Sequence, residues 1–263
     1  MMRSPEAAFD LRSVLAKEVR RAIKAFEKAP ASPKAIHSCR IALKRARALA
    51  KVGGVGAPGL AEVFNDNARA VMHTLGRARD DWALEKSARK LSKDVGKKSR
   101  RELRDLAHRV HTARQAASAL NIEGVRASLK DLLAIAQVWP DASPRQVERG
   151  ARRLARKARK LWRRDRDNAD GHHQWRKREK DRLYAATLLG AAWPNGRPRR
   201  RKANAALAEM LGDERDVLLV MERLARDRVA SRVPDALHDL ARARKRIAKR
   251  AHTLARKLHA GGA

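Results

Sequence analysis

Residues 33–52 read PKAIHSCRIALKRARALAKV, a run built almost wholly from alanine, leucine, arginine and lysine. These are strong helix formers, and nothing in the run alternates apolar and β-branched residues as a strand would. Ser32 followed by Pro33 reads as an N-cap with proline at the first helical position, so a helix is expected to start there. It is expected to end near Val52, ahead of the flexible loop Gly53-Gly54-Val55-Gly56-Ala57-Pro58-Gly59. Along this helix His37, Arg40, Lys44, Arg47 and Lys51 step by 3, 4, 3 and 4 residues. At 100° per residue they share an arc of about 80°. That rhythm normally marks the apolar seam of a bundle, and here it carries an imidazole and cations.

The same composition extends in both directions, so the chain is read as all-α. A first helix ends near Lys28, before Ala29-Pro30-Ala31-Ser32-Pro33. Further breaks are expected at Gly76, Gly96, Asn121, Pro140 to Pro144, Asn168 to Gly171, Pro194 to Pro198, Gly212 and Pro234, which leaves roughly eleven helices. Short connections between them predict antiparallel neighbours in bundles.

Sliding the sequence against itself gives a duplication. His37, Arg40 and Lys44 align with His173, Arg176 and Lys180 at an offset of 173 − 37 = 136 residues. Without a gap the same offset lays Leu75-Gly76-Arg77-Ala78-Arg79-Asp80 on Leu211-Gly212-Asp213-Glu214-Arg215-Asp216. It also sets Arg20, Arg21, Lys24 and Phe26 on Arg156, Lys157, Lys160 and Trp162. Basic matches mean little in a basic chain, but histidine, glycine and aspartate matches at one fixed spacing do not. The halves are expected to be residues 1–140 and 141–263, each a helical bundle, together forming one domain.

Charge bounds the function. With 63 Lys plus Arg against 29 Asp plus Glu the formal net charge is 63 − 29 = +34 in 263 residues, which calls for a polyanionic partner. An apolar content of 43% still permits a core. Aromatics are only 3% of the chain, so stacking on single-stranded bases is poorly supplied. No stretch is apolar for long enough to span a bilayer, and no membrane insertion is expected. The single cysteine, Cys39, excludes an intrachain disulfide and fits a reducing cytoplasm.

Basic stripes recur on other helices: Lys17, Arg21, Lys24 and Lys28; Arg153, Lys157, Lys160 and Arg164; and Arg242, Lys245, Lys249, His252 and Arg256. Several such stripes cannot all be buried without anions, so they must line a wet groove or the outside. A basic groove or channel shared by the halves would focus positive potential on a linear polyanion. The Leu-Gly-x-x-Arg-Asp element is expected at a helix-to-helix turn in each half. There Asp80 and Asp216 serve as N-caps or partners of a cation, while Arg79 and Arg215 either brace the turn or point inward as ligands.

Catalytic arrangements fare badly. His108 with His111, and His172 with His173, lack acid or thiol neighbours at metal-site spacing, so neither a metal nor another cofactor is expected. The glycine loop has no Gly-Lys-Ser/Thr sequel. A phosphohydrolase or polyphosphate kinase using His37 or His173 would want carboxylates for metal nearby, and few are present. No catalytic residue is assigned.

His37-Ser-Cys-Arg40-Ile-Ala-Leu-Lys44-Arg45-Ala-Arg47 resembles the first signature of the CHAD proteins, α-helical domains named for a histidine, and Leu75-Gly76-Arg77-Ala78-Arg79-Asp80 resembles its companion. His173-Gln-Trp-Arg176-Lys177-Arg-Glu-Lys180 and Leu211-Gly-Asp-Glu-Arg215-Asp216 are similar to the signatures of the family's other half. The resemblance implies two pseudo-two-fold-related antiparallel helical bundles around a basic channel that binds inorganic polyphosphate without catalysis. It also implies association with polyphosphate or polyester storage granules. The residues expected to hold the phosphates are His37, Arg40, Lys44, Arg47, Arg79, His173, Arg176, Lys180 and Arg215, joined by Arg21, Lys24, Lys157 and Lys160. One departure is visible: the basic residue usual ten places after the second histidine is replaced by Leu183, with Arg182 one place earlier. The second reading is a nucleic-acid-binding helical protein, which the charge supports equally and the histidine-headed seams support less.

Overall fold

The structure, a computed structural model, describes residues 8–30, 32–115, 120–164, 169–194, 198–227 and 234–260. Among them the chain forms α1 (Leu11–Glu27), α2 (Pro33–Gly53), α3 (Pro58–Leu91), α4 (Lys97–Gln115), α5 (Ile122–Gln137), α6 (Pro144–Arg164), α7 (Ala169–Leu189), a 3-10 turn (Gly190–Ala192), α8 (Pro198–Arg226) and α9 (Pro234–Ala260). The all-α reading holds. The starts follow local chemistry: Asp10, Ser32 and Asn121 each accept a hydrogen bond from the backbone N–H three residues on, and Pro33 occupies the first turn of α2.

There are fewer helices than the roughly eleven expected, because Gly76 and Gly212 do not stop one. α3 runs unbroken for 34 residues and α8 for 29. A C-terminal glycine ends a helix by taking positive φ, and among the described glycines only Gly190 does so, at 56°. Gly76 and Gly212 instead make room. A Cβ on Gly76 would lie 3.2 Å from Arg40 Nη1, and one on Gly212 would lie 3.5 Å from Arg176 Nη2. Asp80 and Asp216 accordingly sit inside helices and cap nothing.

A helix end repeats at the sequence offset: α2 ends at 53 and α7 at 53 + 136 = 189. Equivalent helices meet across the molecule, α2 against α7, α3 against α8 and α4 against α9. The main core joins α1, α2, α5 and the first half of α3, with Trp139 edge-on to Phe64 at 5.9 Å between ring centres. A second core draws Leu84, Leu103 and Leu106 from the first half together with Val217, Val220 and Leu240 from the second. The third, around Trp162 and Trp175, lies among α6 to α9.

The repeats differ inside. Where α2 buries Ile36, Cys39 and Leu43, α7 buries His172, Trp175 and Glu179 at the equivalent places. Glu179 is held by His259 Nε2 at 2.8 Å, Trp175 Nε1 at 3.0 Å and Arg182 Nη2 at 2.7 Å, each donating to its carboxylate. His172 Nδ1 donates to Glu214 at 2.8 Å, and His172 Nε2 lies 3.1 Å from His252 Nε2. These contacts fasten the second half of α9 to α7. Burial pushes the Glu179 carboxyl up, but the His259 hydrogen bond and the Arg182 charge outweigh it and hold the group below its ordinary value. Arg182, the displaced family position, is thereby a partner of Glu179 and Asn204.

Candidate functional site

The last two turns of α2 carry Arg47 and Lys51, and α7 crosses beside them. α6 also packs on α2, and its approach is set by Gly150: a Cβ there would stand 2.5 Å from Val52 O and 2.8 Å from Val52 Cα. One and two turns beyond Gly150, Arg153 and Lys157 project on the side of α2. Together with Arg69 of α3 and Arg178 of α7 these residues line a groove of about 650 Å³. Its walls bring six cations, Arg47, Lys51, Arg69, Arg153, Lys157 and Arg178, against two carboxylates, Glu62 and Asp66, for a local balance of 6 − 2 = +4.

The electrostatics register the crowding. Burial pushes the Lys51 ammonium below its ordinary value, Asp181 partly restores it through a 2.6 Å ion pair, and Arg47 and Arg178 oppose it. Burial lowers Lys157 as well, followed by the repulsion of Arg153 and Arg178. Lys177 of α7 is lowered by burial and then by Arg178, Arg215, Arg47 and Arg176. Cations of α2, α7 and α8, from both repeats, thus lie within electrostatic reach of a single amine. An anion entering this cleft relieves that repulsion, and the arginines offer it planar forks of donors.

The expected site residues divide. Arg47 and Lys157 line the groove; Arg176 lies against Gly212 of α8 and, with Arg215, within electrostatic reach of Lys177, and neither borders the groove. Arg40 turns instead to α3, where its Nη1 donates to the Met72 carbonyl. His37 sits with its ring centre 6.0 Å from that of Trp82. His173 and Arg215 border a small recess with Leu211 and Glu214, where Arg215 Nη1 also meets Glu222 at 3.3 Å. Lys44 and Lys180 are half-buried on α2 and α7, and neither borders the groove. Arg21 pairs with Glu18 on α1, Lys24 is exposed on the same helix, and Lys160 is exposed on α6; none of the three reaches the groove walls. Arg79 lies in α3, with its side chain outside the described ones.

Lys51 and Arg153 stood on the basic stripes, whereas Arg69 and Arg178 belong to no periodic seam. Only the packing of α3 and α7 brings them in. Cys39 is fully buried, and burial pushes its thiol up to about 12. No helix among the described residues is long and apolar enough to cross a membrane.

A duplicated all-α chain with a basic groove at the junction of its repeats is the class that fold and site define. The CHAD domain profile matches residues 13–225, and the chain belongs to the CHAD family. A solved structure with the same fold is the CHAD domain from the plant Ricinus communis, at 20% identity and a TM-score of 0.64, covering 100% of this chain and 96% of that one. No curated protein is similar enough in sequence to match.

Proposed function

We propose that this protein binds inorganic polyphosphate, without chemical change to it, in the groove between α2, α3, α6 and α7. The observation that carries this reading is the convergence of Arg47 and Lys51 with Arg153, Lys157 and Arg178, contributed by both repeats. A flexible chain with one charge per phosphate follows a curved cationic wall, and each ion pair replaces a counterion. Trp139, Trp162 and Trp175 are buried, Trp82 and Trp193 are partly exposed, and no aromatic residue lines the groove, which favours a ligand without bases. In the same reading, residues 1–140 and 141–263 are two bundles about an approximate two-fold axis, a relation supported by the pairing of α2 with α7, α3 with α8 and α4 with α9. The protein then acts in the cytoplasm, at polyphosphate or polyester granules.

Calorimetric titration with long-chain polyphosphate tests the site. Replacing Arg47, Lys51 and Lys157 by glutamine should weaken binding at least about tenfold, and the salt dependence of the parent should have a log–log slope of about −4 for six contacts at 0.7 each. Chain length after incubation with magnesium should be unchanged. Unaltered affinity in the triple variant would refute the groove, and released phosphate would refute the absence of catalysis.

A further inference from the structure

α6 is the most one-sided helix of the molecule. Its 21 residues hold ten Arg or Lys and a single acid, Glu148, and its buried stripe is Val147, Gly150, Ala151, Leu154, Ala158 and Trp162. Arg153 and Lys157 face the groove. A second lane lies farther round: Arg145, Arg149, Arg152, Arg156 and Arg163 fall within an arc of about 60° and extend over about 27 Å at 1.5 Å per residue. All five are exposed, and among the described residues only Arg152 is paired, with Glu148 at 2.6 Å, while remaining 68% exposed.

The repeat shows that this face is not simply what the fold requires. At the 136-residue offset the lane residues Arg145, Arg149, Arg152, Arg156 and Arg163 fall on Phe9, Ser13, Ala16, Arg20 and Glu27, so one place of the five keeps a basic residue. Ala16 and Val19 are buried in the cluster that contains Val125, Leu129 and Leu132 of α5, the helix packed on α1. Where α1 buries Ala16 in that cluster, α6 exposes Arg152.

We propose that this outer lane docks on the phosphate backbone of duplex nucleic acid, independently of base sequence and outside the groove. The lane is straight and convex, so a stiff duplex can lie along it, whereas a duplex cannot follow the narrow groove. Its cations are all arginine, the residue suited to forked contacts with phosphate. No aromatic or large apolar side chain is interleaved with them, which disfavours single strands and insertion into a lipid surface. The proposal does not rest on the polyphosphate reading, because the two sets of residues are disjoint.

The experiment measures anisotropy of a short labelled DNA duplex against salt for four proteins. They are the parent; the lane variant Arg145→Gln, Arg149→Gln, Arg152→Gln, Arg156→Gln; the groove variant Arg47→Gln, Lys51→Gln, Lys157→Gln; and a charge-matched control with the exposed Lys93, Lys130, Arg246 and Arg250 changed to glutamine. The lane variant should lose at least about tenfold in duplex affinity, with its log–log salt slope flattened by about 3 to 4 units, while its polyphosphate affinity stays within about twofold of the parent. Single changes Arg149→Gln and Arg156→Gln, each flattening the slope by about one unit, serve if the quadruple variant loses helical signal. Equal losses in lane and control variants would overturn the proposal in favour of net charge alone. A larger loss in the groove variant would place the duplex in the groove, and a lane variant that loses only binding to phosphatidylglycerol vesicles would assign the face to lipid. A parent that does not bind duplex refutes the proposal outright, and failure of polyphosphate to bind leaves it standing.

Discussion

Arg40 and Gly76 are separated by 36 residues, and so are Arg176 and Gly212. In both repeats the guanidinium lies over the glycine, so the glycine is there for a neighbour's side chain and not for its own backbone. Alanine should therefore be tolerated in proportion to the space. Gly212→Ala meets nothing nearer than 3.5 Å and should gain about 0.5 to 1 kcal/mol from helix propensity, whereas Gly76→Ala, at 3.2 Å from Arg40, must displace the donor to Met72 and should gain little or lose. Chemical denaturation of the two variants measures the difference. The paired spacing was legible in the sequence, but its meaning was not, since a glycine after leucine in a helical run reads equally as a stop. Arg40 was likewise legible as a member of a basic seam, while its turn toward α3 depends on where α3 lies.

The start of α2 at Ser32-Pro33 could be read from the chain because capping is local. The approach of α6 to α2 could not, because it depends on the backbones meeting at Gly150. Gly150→Ala should cost about 1 to 3 kcal/mol, or more, by overpacking against an unyielding carbonyl. It should also weaken polyphosphate binding by moving Arg153 and Lys157, a loss that thermal unfolding and titration would report together.

The fastening of α9 to α7 predicts an acid response. Glu179 titrates below its ordinary value in the folded protein, so the stability it contributes is present above the carboxyl's unfolded pKa and is lost as pH falls through the lower, folded one. Glu179→Gln should cost about 3 kcal/mol at neutral pH, leaving Arg182 and His259 without their anion. The gap between variant and parent should close in acid below about pH 4, which denaturation at a series of pH values would reveal.

At the scale of the molecule, a net charge of +34 works against compactness, and the groove concentrates part of that repulsion. Added salt should therefore raise the unfolding temperature even as it weakens polyphosphate binding, an opposition that scans in sodium chloride would display. The need for a polyanion was plain from composition. Where the anion path runs was not, because α2 and α7 carry similar seams and only the packing decides that Arg47 and Lys51 line the groove while Arg40 turns to the Met72 carbonyl.

The unlike interiors of the repeats bear on how the chain finds itself while folding. Duplicated helices of nearly the same length and charge invite exchange, with α7 seated where α2 belongs or one molecule lending a helix to another. Such a mistake would carry Glu179 and His172 into a bed shaped for Leu43 and Ile36, far from His259 and Glu214, and strand a buried carboxylate. The polar cluster thus acts as an address: it makes α2 and α7 mutually unmistakable.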